Sequence, residues 1–413
     1  MVNLEQSYRR AIYLTLGVST LLYFLQAFGP LRLTTDSISY LSLADSATTQ
    51  GVIHAFRQPN FPFPKGYPVF VFLLMKSGLF FPATIVITNL LFFAVGITFS
   101  FRTLIALGFQ RNHAAIACLL TLLSFTAVKH ITQGMSDFLF FALSAAACWS
   151  MTLHNRYKWL VIVPCAVCAI EVRFIGLALI FPLAAMAWPL VRRRPVAIVV
   201  IGVMALIFVG AGTWAGRHYL AKNFQLLKNN GLSHFLGNNT IAHCQDFAEL
   251  TVNISLSKLP AWSSTFMLIM GGFALLLFLG GIVALWGRSQ WSCFYMLGYS
   301  ALILPWPYTD PRFWLPAMPF VFLTMHAGAI AFFKKMPKRV VAAYGIIFCT
   351  LGFAALGYST WLAFSGPKFP YRYGDGLLRS TYLAGCSVAP ADANQKALHL
   401  LRRYDWRCPN EPR

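Results

Sequence analysis

Long apolar runs alternate with short polar segments along most of the chain. A transmembrane helix needs about 20 mostly apolar residues, and the pattern predicts about eleven such helices. The expected spans are 11–30, 83–101, 112–128, 136–153, 159–170, 174–191, 196–215, 262–287, 291–306, 313–333 and 340–361. The pattern therefore predicts an all-α polytopic membrane protein.

The stretch 159–191 has two interpretations, because Glu171 and Arg173 interrupt its apolar run. It is either one long broken span or two short crossings joined by a turn at these residues. A single crossing would place Arg192, Arg193 and Arg194 on the outer side, against the rule that basic residues stay in the cytoplasm. The two-crossing interpretation is therefore preferred.

Composition agrees with a membrane location. Hydrophobic residues make up 58% of the 413 residues and charged residues 11%, whereas soluble domains contain about 25% charged residues. The mean hydropathy is +0.62. The first apolar run is as long as a full span and no small-residue cleavage pattern follows it, so it predicts a membrane span and no cleavable signal peptide.

The net charge is +21, and a large excess of basic residues is also typical of nucleic-acid-binding proteins. Here the basic residues lie mostly between apolar runs, the arrangement that orients membrane proteins, so no nucleic-acid partner is predicted. They concentrate at every second boundary between spans. This predicts a cytoplasmic N-terminus, an external C-terminus, a transmembrane domain over 1–361 with external loops 31–82 and 216–261, and an external tail over 362–413.

The first external loop combines cations with prolines, in HAFRQPNFPFPKGYP. His54, Arg57 and Lys65 alternate with prolines, which keep a chain out of helix and extended. Such a loop suits an anionic lipid headgroup, although Arg57 and Lys65 could equally extend to bulk lipid phosphates. The apolar stretch after it, residues 67–81, is too short to span and predicts an interfacial helix.

Five acidic residues lie in or beside the predicted spans, all on the external side: Asp36, Asp45, Asp137, Glu171 and Asp310. Ionisable groups at membrane depth are costly and are functional candidates by default, so their shared side indicates a polar cavity that opens outward. Asp36 directly follows the first span and is the strongest candidate. Its sequence context, Thr-Asp-Ser before an apolar run, also fits a helix N-cap, and the two roles are compatible.

Arg173 and Arg312 each have an acidic residue two positions earlier, Glu171 and Asp310. One interpretation is a local ion pair at each site. The other is that both arginines face the cavity and bind phosphate oxygens, which the fork of a guanidinium fits well.

The cysteines indicate little chemistry. Cys165 and Cys168 form a C-x-x-C pair inside an apolar run, which favours core packing over zinc or redox chemistry. Cys386 and Cys408 lie in the predicted external tail, where a disulfide between them is one permitted pairing.

The order of these features resembles the GT-C superfamily of integral-membrane glycosyltransferases, which take a sugar from a polyprenyl phosphate, and among them enzymes of the dolichyl-phosphate-mannose-protein mannosyltransferase type. The resemblance covers most of residues 1–333. It is carried by Asp36 and Tyr40 after the first span, Gly66 to Pro68 before the interfacial helix, Asp137 at the fourth span, Arg173, Phe174 and Gly176, and Arg312 to Pro319. Asp36 is followed by Ser37 and has no second acidic partner beside it, and the loop has Pro62-Phe63-Pro64 in place of a doubled proline.

The resemblance implies transfer of a sugar from a polyprenyl-phosphate donor to a hydroxyl of a glycan, lipid or protein, with inversion, on the periplasmic face of a bacterial inner membrane. It implies that Asp36 is the catalytic base. It implies substrate binding by Tyr40, His54, Arg57, Lys65, Tyr67, Asp137, Arg173, Asp310 and Arg312. Lys65, Arg57, Arg173 and Arg312, in that order of preference, would stabilise the leaving phosphate, so no cofactor is expected and a divalent metal is not supported.

Two other functions are open at this stage. A secondary transporter or lipid flippase would place polar residues near the bilayer midplane and often has inverted repeats, and the sequence shows neither clearly. An acyl or phosphoryl transferase would be favoured by a histidine-rich motif on a span. His130, His243 and His326 are scattered and are expected to be structural.

Overall fold

The fold is described from a computed structural model, which covers residues 2–57, 61, 63–193, 225, 228–229, 231–306, 308–334, 338–366, 369–370, 376–384 and 393–404. In these ranges the regular structure is helical, apart from one isolated bridge between Arg32 and Gln133, so the prediction of an all-α fold is confirmed. The predicted span 196–215 and both Cys386 and Cys408 lie outside the described residues.

The first part of the chain contains one long helix followed by three shorter ones: α1 (Val2–Leu25), α2 (Thr35–Gln50), α3 (Val52–Phe56) and α4 (Gly66–Lys76). The predicted interfacial helix corresponds to α4. Pro68 lies in its first turn, where its missing N–H would have no helical partner, so the expectation that all four prolines of this loop lie outside helices is wrong for Pro68.

The middle of the chain contains α5 (Pro82–Ala106), α6 (Arg111–Leu122), α7 (Phe125–His130), α8 (Asp137–Met151), α9 (Trp159–Val172) and α10 (Ile180–Arg193). Helix α9 ends at Val172, Arg173 is extended, and a 3-10 helix, Phe174–Leu179, follows. At Gly176 a Cβ would lie 2.6 Å from the backbone nitrogen of Ile170. The chain thus folds back tightly at Arg173, and only glycine fits at this approach.

The later helices are α11 (Leu232–Val252), α12 (Ser263–Leu285), α13 (Gln290–Ile303), α14 (Met318–Phe333) and α15 (Lys338–Ala363). Helices α12 and α14 cross closely, because a Cβ at Gly281 would lie 1.8 Å from the carbonyl oxygen of Thr324. Small residues allow such approach between apolar helices. A 3-10 helix, Pro311–Ala317, leads into α14.

Four helical segments of the described chain are long and apolar enough to cross a membrane: Pro82–Ala106, Ser263–Leu285, Pro311–Phe333 and Arg339–Ala363. They correspond to four of the eleven predicted spans and suggest a membrane protein. Several other predicted spans correspond to shorter apolar helices, such as Asp137–Met151 and Trp159–Val172, so the number eleven stays a prediction.

The C-terminal segment adds α16 (Gly376–Ala384) and α17 (Gln395–Tyr404), and both pack on the residues around α2. The hydroxyl of Tyr382 donates to the carbonyl oxygen of Leu31 at 2.7 Å and accepts from the backbone nitrogen of Leu33 at 2.9 Å. Leu400 and Leu401 of α17 belong to the buried core. The C-terminal helices α16 and α17, which the family resemblance does not cover, therefore pack against the segment around α2 that contains Asp36 and Tyr40.

Candidate active site

A cavity of about 710 Å³ lies between the first turn of α2, the turn at Arg173 and the segment that precedes α14. Asp36, Tyr40, Arg173, Asp310 and Arg312 line it. Residues from three distant parts of the sequence thus line one cavity. Four of them carry a carboxyl or a guanidinium group. Much of the remaining wall is aromatic or aliphatic.

Asp36 lies in the first turn of α2, but it does not cap the helix. The cap is Thr34, whose Oγ1 accepts from the backbone nitrogen of Ser37 at 3.2 Å, while Ser37 Oγ accepts from the backbone nitrogen of Thr34 at 2.6 Å. The N-cap interpretation of Asp36 is therefore wrong. Because Thr34 and Ser37 satisfy the helix end, the carboxylate of Asp36 is left to point into the cavity.

Arg312 joins two carboxylates in the cavity. Its Nη2 donates to Oδ2 of Asp36 at 2.5 Å, and its Nε lies 3.3 Å from Oδ2 of Asp310. Asp310 Oδ1 also accepts from the backbone nitrogen of Arg312 at 2.9 Å, which caps the Pro311–Ala317 helix. The local Asp310–Arg312 pair therefore exists, and the same guanidinium also reaches Asp36. The side chain of Arg312 is 14% exposed.

Arg173 pairs with Asp137 and not with its sequence neighbour. Its Nη1 donates to Oδ1 of Asp137, a fully buried residue at the start of α8. The alternative of a Glu171–Arg173 pair is wrong: Arg173 is extended and its side chain turns toward α8, while Glu171 is half-buried and lies in the electrostatic field of Lys65. Asp137 thus lies behind the cavity, where it fixes Arg173.

Two tyrosines lie next to these charges. Tyr40 follows Asp36 by one helical turn and lines the cavity, and its ring packs 5.3 Å from that of Tyr67 and 5.0 Å from that of Phe63. Burial raises the pKa of Tyr40 to about 12, although Arg173 opposes this, so its phenol is a neutral hydrogen-bond donor near neutral pH. Tyr67 is buried behind Tyr40 and does not line the cavity.

Besides Tyr67 and Asp137, three more of the predicted binding residues do not line this cavity. His54 and Arg57 are exposed on and after α3, and neither lines it. Lys65 is also absent from the lining, and its Nζ donates to the carbonyl oxygen of Phe56. Of the four cations expected to bind phosphate, the cavity contains Arg173 and Arg312, the two that sequence reasoning ranked lower.

Aromatic rings form a large part of the cavity wall. The guanidinium carbon of Arg312 lies 5.2 Å from the centre of the Phe313 ring, and that of Arg173 lies 5.4 Å from the same ring. Cation–π contact of this kind holds both cations on one rigid surface. Phe174 and Trp306 stack nearby with ring centres 6.3 Å apart. Phe174 and Phe313 belong to the motifs that carry the family resemblance, whereas no local signal distinguishes Trp306 from the many other aromatic residues of the chain.

His130 adds a buried neighbour to Asp310. Its Nε2 lies 3.9 Å from Asp310 Oδ1, and its Nδ1 lies 2.7 Å from Oε1 of Gln133. Burial lowers the pKa of His130, so the imidazole is neutral near pH 7. Burial would raise the pKa of Asp310, but the positive charges of Arg312 and Lys129 outweigh it and the pKa is lowered. Asp310 is therefore a permanent anion beside Arg312.

Among the residues described, no group of three or more His, Cys, Asp and Glu side chains is arranged to hold a metal ion. No family model, curated protein or solved structure matches the chain.

Proposed function

We propose that the protein is a membrane glycosyltransferase of the GT-C type that moves a sugar from a polyprenyl phosphate to an acceptor hydroxyl. One observation supports this most: the Asp36 carboxylate and the guanidiniums of Arg173 and Arg312 line the same cavity of about 710 Å³. Such a transfer needs a base for the acceptor and fixed cations for the leaving phosphate. We propose a bacterial inner membrane with the cavity on its periplasmic side.

The donor phosphate binds to Arg173 and Arg312 in this proposal. Arg173 is paired with Asp137, and Arg312 with Asp36 and Asp310. Both guanidiniums also have one face on the Phe313 ring, so the directions of their remaining N–H groups are restricted. A phosphate competes with Asp36 for Arg312, since both are anions that a guanidinium binds in the same way. Donor binding thus releases the carboxylate from its ion pair.

The released Asp36 then acts as the base. The acceptor hydroxyl gives its proton to the Asp36 carboxylate while its oxygen forms a bond to the anomeric carbon. The bond between that carbon and the phosphate oxygen breaks, and the electron pair leaves with the polyprenyl phosphate. Attack from the face opposite the phosphate inverts the anomeric centre.

Two further residues assist without taking part in proton transfer from the acceptor. Tyr40, as a neutral phenol, donates a hydrogen bond to a donor oxygen. Asp137 is a positioning residue, because it fixes Arg173 from behind the cavity. The aromatic residues Phe174 and Trp306 offer flat apolar surface for the sugar ring and the first isoprene units.

The test is transfer by the purified full-length protein in proteoliposomes with a radiolabelled sugar on a polyprenyl phosphate. The proposal expects label in a covalent acceptor product and equimolar release of polyprenyl phosphate. Label that crosses the vesicle membrane without any covalent product would instead establish a transporter or flippase and overturn the proposal.

A further inference from the structure

A second cavity, of about 640 Å³, lies on another face of α2, between this helix and α17. Asp45 fixes the two helices to each other. Its carboxylate accepts a hydrogen bond from the Tyr404 hydroxyl at 2.5 Å, forms an ion pair with Arg403 Nη1 at 2.9 Å, and lies 3.0 Å from His399 Nε2. Asp45, one of the five acids noted in the sequence, therefore belongs to this second cavity and not to the first.

The α2 side of the second cavity is a row of hydroxyls. Ser39, Ser42, Ser46 and Thr49 line it at spacings of three and four residues, which place them on one helix face. Ser39 donates to the carbonyl oxygen of Thr35 at 3.1 Å, and Ser46 to that of Ser42 at 2.8 Å. Because these protons are used inside the helix, the oxygen lone pairs remain to accept from hydroxyl groups of a ligand.

The α17 side of the second cavity is cationic. Lys396, His399 and Arg403 line it, again at spacings that share one helix face. Asp45 pairs with Arg403, whereas Lys396 makes no ion pair with any residue that the structure describes. The second cavity thus offers acceptors on one wall and at least one uncompensated positive charge on the other.

The two cavities are neighbours. Ser39 of the second cavity follows Asp36 of the first by three residues, about one turn of α2. The ring of Phe61, in the second cavity, lies 6.5 Å from that of Tyr40 and 5.8 Å from that of Phe63, which both line the first. The two cavities therefore lie side by side along α2, about one helical turn apart.

We propose that the second cavity binds an anionic carbohydrate, a sugar that carries a phosphate or carboxylate group. Its hydroxyls donate to the serine and threonine row and its anionic group binds Lys396. Resting on the proposed function, this carbohydrate is the acceptor, and one of its hydroxyls reaches Asp36. The C-terminal helix α17 is then part of the binding machinery.

The probe is glucose 6-phosphate, and its binding to the purified full-length protein in detergent is measured by saturation-transfer NMR. We expect binding of glucose 6-phosphate and much weaker binding of glucose or inorganic phosphate. Lys396→Gln should weaken binding about tenfold, as loss of one charge-assisted hydrogen bond predicts. Arg402→Gln is the matched control, because it removes the same charge from the same helix outside the cavity.

Equal effects of Lys396→Gln and Arg402→Gln would overturn the proposal, as would inorganic phosphate that binds as well as the sugar phosphate. Displacement of glucose 6-phosphate by polyprenyl phosphate would place the probe in the first cavity and would overturn it too. The two proposals fail separately. Transfer activity without sugar-phosphate binding at Lys396 overturns only the second site, whereas Lys396-dependent binding without any transfer overturns the proposed function.

Discussion

Nη2 of Arg312 lies 2.5 Å from Oδ2 of Asp36, across 276 residues of sequence. Both side chains are mostly buried, at 14% and 25% exposure, so removal of either partner leaves the other with a poorly solvated charge. In the proposed transfer the two groups have separate tasks, one as base and one as phosphate ligand. Their ion pair is therefore a resting arrangement that the donor has to open, and its two halves can be tested separately.

Asp36→Asn should abolish transfer. The amide keeps the shape of the carboxylate but cannot take a proton, and loss of a general base costs about 10²–10⁴-fold in rate. The measurement is covalent product formation by the purified variant, with its unfolding temperature taken in parallel. Glu171→Gln is the control, since this carboxylate lies outside the cavity. Turnover of Asp36→Asn within tenfold of the wild type would remove Asp36 from the mechanism.

The same Asp36→Asn variant should bind polyprenyl phosphate more tightly. Without the Asp36 carboxylate, Nη2 of Arg312 no longer binds an internal anion that competes with the phosphate, whereas Asp310 stays beside Nε. We therefore expect a gain of roughly three- to tenfold in affinity, or about 1 kcal/mol. A misfolded variant would lose both turnover and donor binding. Tighter donor binding together with lost turnover would therefore indicate that the phosphate replaces Asp36 as the anion bound to Arg312. Weaker binding by Asp36→Asn would contradict the exchange of anions at Arg312.

Arg312→Lys and Lys65→Ala should differ in their effect on donor affinity. Lysine keeps the charge at position 312 but loses the fork that holds a carboxylate and a phosphate together, so we expect about tenfold weaker donor binding. Lys65 lies outside the cavity lining and donates to the Phe56 carbonyl oxygen, so Lys65→Ala should weaken donor binding less. The affinity of polyprenyl phosphate is measured by titration of each variant. A larger loss for Lys65→Ala would restore the order of importance that the sequence suggested.

Local features of this site were accessible from the sequence. The charges at Glu171 and Arg173 predicted an interruption, and the structure has one, with α9 ending at Val172. The Asp310–Arg312 pair is a contact between residues two apart. Such features depend on neighbouring residues alone, so a single sequence contains the information.

The pairing of distant charges was not accessible. Arg173 has Glu171 close in sequence, yet it pairs with Asp137, 36 residues away, because the extended backbone at Arg173 turns its side chain to α8. Similarly, Thr34, Asp36 and Ser37 are all good capping residues, and the sequence cannot rank them. In the structure Thr34 caps α2 and the Asp36 carboxylate is engaged by Arg312, from a distant part of the chain.

Removal of divalent cations should leave transfer intact. In the proposed mechanism Arg173 and Arg312 supply the positive charge that the leaving phosphate needs, and Asp36 is followed by Ser37 in place of a second acid. Transfer activity is measured with and without EDTA, and again after addition of Mg²⁺ or Mn²⁺. We expect these activities to agree within about twofold. Removal of a main electrostatic contributor to catalysis would instead lower the activity about 10²-fold or more. Loss of activity in EDTA that Mn²⁺ restores would show that the arginines are insufficient.

The stability of the protein should fall in mild acid through His130. Burial lowers the pKa of His130, so in the unfolded chain, where the pKa is about 6.5, the residue binds a proton at higher pH than in the folded state. Below pH 6.5 the unfolded state therefore binds more protons than the folded state. The free energy of unfolding then decreases as the pH falls from 6.5 toward the lower pKa that His130 has in the folded protein. Asp310, whose pKa is lowered, also reduces the stability as the pH falls, but at lower pH. Its contribution to the free energy of unfolding is lost when the carboxylate is protonated.

Buried carboxylates act in the opposite direction on the pH dependence of stability. The contribution of His130 therefore has to be measured as the difference between the wild type and a His130 variant. Burial raises the pKa of Asp246 and Glu249, and these groups favour the folded state as the pH falls. Unfolding temperatures in detergent from pH 7.5 to 4.5 should therefore be compared for wild type, His130→Gln and, as a control, His154→Gln, which replaces an exposed histidine. His130→Gln should lose stability less steeply below pH 6.5 than the wild type, and His154→Gln should follow the wild type. Parallel curves for wild type and His130→Gln would mean that His130 is protonated in the folded state as readily as in the unfolded one, and the neutral imidazole beside Asp310 would have to be abandoned.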